Sequence, residues 1–225
     1  MKKKVLGRKM ITVISPIDTL CEGPKVPIRG KGWQPVHLRQ GSMDGACGLY
    51  SLMMGLIICG AVTYEKVCAF YPFLSDPKIK RLMEYFEEFG LLVKRGIDID
   101  QMFTAIDEYC SGKVDYQGLI SKGSDLIEFI DEELIKNRPV LLLIEFEDTA
   151  HWVLVVGREF ERRGEETALC RFLILDPSED TPKICSWNGV LSTRKKRREY
   201  PYTYDTLTCC NNVKMVYAIA IWPKK

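Results

Sequence analysis

The sequence lacks the motifs that mark several large enzyme classes. It contains no Gly-x-Ser-x-Gly turn, no glycine-rich loop that ends in Lys-Ser or Lys-Thr, and no His-Glu-x-x-His segment. These absences argue against serine hydrolases with a nucleophile elbow, P-loop nucleotide enzymes and zinc metalloproteases. Any catalytic chemistry must therefore use other residues.

Long apolar runs and a strong excess of one charge are also missing. No stretch reaches about 18 consecutive apolar residues, so no bilayer-spanning helix is predicted. Residues 1–20 begin with lysines but lack the uninterrupted apolar segment of a secretory signal. The 32 Lys and Arg residues nearly balance the 30 Asp and Glu residues, so neither nucleic acid nor a membrane is an expected partner. We expect a cytoplasmic protein, with delivery into a host cell as an alternative. The oligomeric state stays open.

Zinc-type spacing is absent from the nine cysteines. Structural zinc sites repeat Cys or His ligands two to four residues apart, and the adjacent pair Cys209 and Cys210 does not. An odd count in a chain of 225 residues also argues against a disulfide scaffold. We therefore expect free thiols in a reducing compartment, with no metal and no cofactor.

The chain divides into an irregular, proline-rich N-terminal arm, residues 1–36, and one domain, residues 37–225. The arm carries one short predicted strand at 10–14. Helical periodicity or helix start and stop signals follow at 47–58, 63–73, 77–90, 98–109 and 124–137. Branched and aromatic residues then predict strands at 139–147, 151–161, 168–176 and 213–222. Helices followed by antiparallel strands predict an α+β fold.

A glycine-rich turn leads directly into an apolar helix, and a cysteine stands at the junction. The segment is RQGSMDGACGLYSLMMGL, residues 39–56, in which Cys47 opens the predicted helix. The partial positive charge of a helix N-terminus lowers the pKa of a thiol toward the reactive thiolate. Cys47 is therefore a candidate nucleophile. The alternative is a small core residue, like Cys59 or Cys68.

A thiol nucleophile needs a base, and the chain has only two histidines. His37 lies in the proline-rich region, where we expect a surface role. His151 begins the predicted strand HWVLVVG and is the candidate base. Asp176 closes the next strand, and antiparallel pairing returns it to the His151 end of the hairpin. Asp176 is therefore the candidate orienting acid, with an ordinary Asp-Pro turn as the alternative.

Three further residues are candidates for roles around this triad. Gln40 precedes the glycine turn, and its side-chain amide could stabilise an oxyanion together with the N–H of Cys47. Trp152 adjoins His151, and Trp187 follows Asp176. Both tryptophans are candidate substrate-binding residues, with core packing as the alternative.

The segments Q-GSMDGA-CGLYSL, HWVLVVG and LILDPS occur in the order found in papain-like cysteine hydrolases. Over about 40–57 and 139–178 the chain resembles bacterial cysteine peptidases that process bacteriocin leaders, and related effector enzymes. The resemblance implies a helical N-terminal half packed on a C-terminal antiparallel sheet. It implies that the nucleophile, base, orienting acid and oxyanion glutamine are Cys47, His151, Asp176 and Gln40. The glutamine stands one residue farther from the cysteine than that family usually shows.

The expected function is a cysteine peptidase that acts on a protein or peptide. A glutamine deamidase or transglutaminase of the same fold is an alternative, and a non-catalytic binding module is another. The basic run at residues 194–198 is expected to be a solvated loop; a phosphate-binding segment or an import address is the alternative.

Overall fold

The structure, a computed structural model, describes most of the 225-residue chain. The described residues are 8–18, 22–41, 45–68, 76–88, 96–121, 123–147, 149–163 and 165–225. Their helices are α1 (Cys47–Ile58), α2 (Tyr64–Cys68), α3 (Pro77–Glu88), α4 (Ile99–Thr104), which continues as a π-helical turn (Ala105–Cys110), and α5 (Ser124–Ile135). Their strands are β1 (Arg8–Val13), β2 (Lys25–Ile28), β3 (Gly32–Pro35), β4 (Val114–Ile120), β5 (Val140–Glu145), β6 (Ala150–Arg163), β7 (Glu166–Leu175), β8 (Gly189–Ser192), β9 (Tyr202–Thr206) and β10 (Cys210–Pro223).

Six antiparallel strands form a closed barrel in the order β6, β5, β10, β9, β8, β7 and back to β6. Strands β1 and β4 extend the sheet by pairing with β6 and β10, respectively. Every residue from Val140 to Ile144 of β5 is buried. Since successive side chains of a strand point to opposite faces, both faces of β5 are covered. The core therefore lies inside the barrel and also beneath the helices that pack on it.

The expected papain-like arrangement, a helical N-terminal half on a C-terminal sheet, is wrong. The described residues form a closed six-stranded barrel with two added strands and only five α-helices. Two strands that the sequence did not predict, β8 and β9, complete the barrel between β7 and β10. Strand β4 lies between helices α4 and α5, so helices and strands are not segregated along the chain.

The N-terminal arm is more regular than expected. Strand β1 pairs with β6 over Arg8–Val13, and β2 and β3 form a two-stranded sheet of their own. The predicted helix ends at 73 and 90 lie outside the described residues. Within the described part of the chain, no helix is both long enough and apolar enough to cross a membrane.

Helix α1 packs against β6 and β5 and is almost completely buried. Its second residue, Gly48, lies so close to its neighbours that a Cβ atom there would be 2.0 Å from Cγ2 of Ile97. The same Cβ would be 3.2 Å from Cδ1 of Trp152. The absence of a side chain at this position therefore sets how closely the helix N-terminus approaches β6.

We predict that Gly48→Ala destabilises the protein. The added methyl group would force Ile97 or the helix to move, and overpacking of this kind costs about 1–3 kcal/mol, against a gain of up to about 1 kcal/mol in helix propensity. Thermal unfolding would show a lower midpoint. Gly96→Ala is the control, because a Cβ at Gly96 meets no atom within 4 Å. Equal unfolding midpoints for the two variants would contradict this account of the packing.

Candidate active site

Cys47 is the first residue of α1, and its side chain is bound to strand β6. Sγ accepts a hydrogen bond from the backbone N–H of Trp152 at 3.5 Å. Ser51, one turn later, donates its hydroxyl hydrogen to the backbone carbonyl of Trp152 at 3.1 Å. Both backbone groups of one β6 residue are thus bound by side chains of one helix, which places the thiol beside His151.

Among the described residues, no strand pairs with the edge of β6 that faces α1 at Trp152. Strand β5 pairs with residues 150–155 on one edge, and β7 pairs on the other edge only from Leu154 onward. Trp152 therefore directs its N–H and C=O toward α1. A buried strand edge needs partners for its polar groups, and α1 supplies them.

His151 and Asp176 are in direct contact. Nε2 of His151 lies 2.8 Å from Oδ1 of Asp176. The antiparallel register that pairs Leu154 with Leu175 brings the end of β7 back to the beginning of β6, as the hairpin argument predicted. Nε2 is engaged by the acid, so Nδ1 is the nitrogen left for the thiol of Cys47, whose pKa is lowered by His151.

The carboxylate of Asp176 is buried, with 3% of the residue exposed, and fully hydrogen-bonded. Besides the imidazole, Oδ1 accepts from the backbone N–H of Ser178 at 2.7 Å. Oδ2 accepts from the hydroxyl of Tyr204 at 2.5 Å. A Cβ at Gly189 would lie 3.0 Å from that hydroxyl, so glycine at this position leaves room for Tyr204 to reach the acid.

The backbone N–H and the backbone carbonyl of Asp176 are also both hydrogen-bonded. Its N–H donates to Oδ1 of Asn188 at 2.7 Å, and its carbonyl accepts from Nδ2 of Asn188 at 2.9 Å. His37 Nε2 lies 2.8 Å from the same carbonyl. Because a carbonyl only accepts, His37 carries its proton on Nε2, and Nδ1 accepts from the hydroxyl of Thr181.

The expected surface role of His37 is therefore wrong, because this side chain is 2% exposed. Burial lowers the pKa of His37 and keeps the ring neutral, although the hydrogen bond to Asp176 opposes the shift. Both histidines of the chain thus bind the same aspartate. His37 binds its backbone, and His151 binds its carboxylate.

The pKa values of the three candidate catalytic groups are shifted by one another. Burial raises the pKa of the Cys47 thiol, but the hydrogen bond and charge of His151 outweigh burial and leave it below its usual value. Burial lowers the pKa of His151, but Asp176 and Cys47 reverse this and raise it to about 10. Burial raises the pKa of Asp176, but His151 and Tyr204 bring it below its usual range. These shifts favour a thiolate beside an imidazolium over a neutral thiol beside a neutral imidazole.

Gln40 lies at the same site. Its backbone N–H donates to the carbonyl of Pro177 at 2.8 Å, which ties the segment before α1 to the turn after Asp176. Its side-chain Oε1 is buried and has no hydrogen-bond partner among the described residues. An unpaired buried acceptor is unfavourable, so this amide has capacity for a further hydrogen bond.

Cys47, His151 and Gln40 open onto one cavity of about 850 Å³. The other described residues that line it are Gly45, Gly96, Ile97, Asp98, Ile99, Asp100, Ile120, Leu143, Thr149, Ala150 and Trp152. Trp152 forms part of the wall, and its indole N–H donates to the carbonyl of Ile97 at 2.9 Å. Trp187 is half-buried and is not among the lining residues. The catalytic and substrate-binding roles of all six sequence candidates stay predictions.

The sequence analysis missed Tyr204, Asn188, Ser178 and His37 as partners of the acid. Tyr204 lies on β9, and Asn188 directly precedes β8. Because neither strand was predicted, no sequence pattern indicated these two residues. The basic run at 194–198 lies between β8 and β9 and is exposed, as expected of a solvated loop.

Among the residues that the structure describes, no group of three or more His, Cys, Asp or Glu side chains is arranged to hold a metal ion. No protein-family model matches the chain, and no curated protein matches it. The case for a function therefore rests on the geometry of the site.

We predict that Cys47 is alkylated by iodoacetamide at neutral pH faster than Cys59, which is half-buried, and Cys110, which is buried. Burial raises the pKa of both to about 12, whereas the pKa of Cys47 lies below its usual value. The Cys47 rate should level off at a pH where the rate of an ordinary thiol still rises toward its pKa of about 8.5.

The variant His151→Ala tests whether His151 lowers the pKa of Cys47. Without the imidazole, only the backbone N–H groups of Trp152 and Gly48 would oppose the burial that raises the pKa of Cys47. The alkylation rate of Cys47 at pH 7 should therefore fall at least about tenfold. The rate at exposed Cys68 in the same sample is the internal control. An unchanged pH profile for Cys47 in this variant would show that His151 does not set its pKa.

We predict that Tyr204→Phe lowers the free energy of unfolding by about 1–3 kcal/mol, because a buried carboxylate loses a hydrogen bond. The lowered pKa of Asp176 contributes stability above the unfolded pKa of about 3.9. That contribution disappears as the pH falls through the folded pKa. The difference between wild type and variant should therefore be largest near neutral pH and shrink in acid.

Tyr202→Phe is the matched control for this measurement. Tyr202 lies on the same strand, β9, and is equally buried, but no hydrogen bond from its hydroxyl is found among the described residues. Urea titrations of both variants at several pH values would separate the effects. Equal losses would indicate that the bond between Tyr204 and Asp176 contributes little.

Proposed function

We propose that this chain is a cysteine hydrolase that cleaves amide bonds in peptides. The observation that carries the proposal is that Cys47 and His151 line one cavity while Asp176 binds Nε2 of the imidazole at 2.8 Å. A thiol, an imidazole and an orienting carboxylate in this order form the catalytic unit of thiol hydrolases.

In the proposed reaction the thiolate of Cys47 attacks the carbonyl carbon of the amide. A carbon–sulfur bond forms, and the carbonyl oxygen becomes an oxyanion. The imidazolium of His151 then gives its proton to the amide nitrogen, so the carbon–nitrogen bond breaks and a neutral amine leaves. Water next attacks the thioester and gives its proton to His151, which releases the carboxylic acid and restores the thiolate and imidazolium.

The oxyanion would be stabilised by the backbone N–H of Cys47 and the side-chain amide of Gln40. A half-turn of the Gln40 amide exchanges its oxygen and nitrogen, which have nearly the same size. The NH2 group would then occupy the buried position where Oε1 has no partner. An oxyanion is the acceptor that such a donor requires.

A peptide bond is favoured over a glutamine side chain as the target. The cavity of about 850 Å³ is lined by residues from before α1, from the start of α4 and from β4, β5 and β6. It is therefore wider than one amide side chain needs.

The test is an incubation of wild-type protein with a cell lysate, followed by measurement of new peptide N-termini and of released ammonia. We expect new N-termini, and Cys47→Ala should reduce their rate of appearance by about 10³-fold or more. Cys68→Ala, which removes an exposed thiol outside the cavity, should behave as wild type. Ammonia without new N-termini would indicate a deamidase instead of a peptidase. The absence of both products would contradict the proposed hydrolase function.

A further inference from the structure

One wall of the active-site cavity is acidic. Asp98 and Asp100 lie at the beginning of α4 and line the same cavity as Cys47 and His151. Among the described lining residues no lysine or arginine is present. A ligand in the cavity therefore meets two carboxyl groups and, among the described lining residues other than the catalytic pair, no compensating cation.

This wall is fixed to the catalytic strand. Trp152 follows His151 in β6, and its indole N–H holds the carbonyl of Ile97, the residue before Asp98, at 2.9 Å. Asp98 is also the N-cap of α4, where Oδ1 accepts from the N–H of Gln101 at 2.8 Å and its own N–H donates to the Gln101 side chain at 3.0 Å. The position of the acidic wall is therefore set relative to His151.

The carboxylates of Asp98 and Asp100 have oxygens that can accept hydrogen bonds from a ligand. No hydrogen bond to Oδ2 of Asp98, or to either side-chain oxygen of Asp100, is found in the described part of the chain. Asp100 is exposed. These oxygens can accept bonds from an ammonium or guanidinium group without displacing a protein partner.

Apolar side chains lie beside the two acids. Ile99 stands between them in the sequence, and Ile120, at the end of β4, lines the same cavity with 70% of its surface exposed. Leu143 of β5 contributes a further apolar surface. Lysine and arginine combine an aliphatic stem with a charged end, and they cover apolar surface while the charge reaches a polar group.

Building on the proposed function, we propose that the substrate is a peptide with a lysine or arginine close to the scissile bond. The stem of that residue packs on Ile99 and Ile120, and its charge pairs with Asp98 and Asp100. The amide carbonyl of the same peptide lies at Cys47. These two acids are therefore the specificity-determining residues of the cavity.

The test compares short peptides that differ at one position. Acetylated, amidated peptides of alanine with a central Arg, Lys, Leu or Glu are incubated with the full chain. We expect kcat/KM for Arg and Lys to exceed that for Leu by about tenfold and that for Glu by more, with the preference weaker at high salt. Asp98→Asn/Asp100→Asn should reduce the ratio of Arg to Leu toward one. Asparagine keeps the N-cap of α4 at position 98.

Glu165→Gln/Glu166→Gln is the matched control. It removes the same charge at the exposed turn between β6 and β7. That turn lies at the opposite end of β6 from His151, and the control should retain the preference. Lys94 and Arg95 precede the cavity residue Gly96 in the sequence and lie outside the described residues. A preference for Glu over Arg would show that their charges dominate and would overturn the proposal.

A binding measurement separates this proposal from the proposed function. Fluorescence polarisation with labelled forms of the same peptides and the Cys47→Ala chain requires no catalysis. Tighter binding of the Arg peptide, lost in the triple variant with Asp98→Asn and Asp100→Asn, supports the acidic wall even if no peptide is cleaved. Cleavage of the Arg and Leu peptides at equal rates overturns the proposed role of the acidic wall but supports the proposed hydrolase function.

Discussion

The position of Cys47 beside His151 depends on the groups that hydrogen-bond the backbone of Trp152 at the edge of β6. A strand that is buried on both sides cannot leave its N–H and C=O groups without partners. Strand β7 begins to pair only at Leu154, so α1 fills the gap with the thiol of Cys47 and the hydroxyl of Ser51. These residues are four apart on one helix face. Pairing of the β6 edge therefore fixes the thiol next to His151.

The acid is held by the closure of the barrel. Asp176 leaves β7 at the point where the sheet turns toward β8, and its backbone and carboxylate are bound by Asn188, Tyr204 and His37. A buried carboxylate is costly unless its oxygens are hydrogen-bonded. The strands that close the sheet thus also keep Asp176 ionised and oriented toward His151. Through His37, the segment before α1 takes part in the same support.

The hydrophobic patterns predicted α1, β5, β6, β7 and β10, because these elements carry long apolar runs. Hairpin geometry also predicted that Asp176 returns to His151. The barrel could not be predicted, because the four residues of β8 and five of β9 lie among prolines, glycines and basic residues and carry little apolar signal. His37 was misplaced for a similar reason. Its burial depends on Thr181 and Asp176, about 140 residues away, and such long-range contacts leave no local pattern.

In the proposed function, the charges of Cys47, His151 and Asp176 are coupled to those of the acidic wall, Asp98 and Asp100. A thiolate, an imidazolium and a carboxylate together carry one net negative charge, and the hydroxyl of Tyr204 stays protonated because burial and Asp176 raise its pKa well above its usual value. Asp98 and Asp100 add to this negative field at the same cavity. Negative charges near a thiol oppose its ionisation. A cationic side chain of the substrate would offset them, so the group that selects the substrate would also favour the thiolate that attacks it.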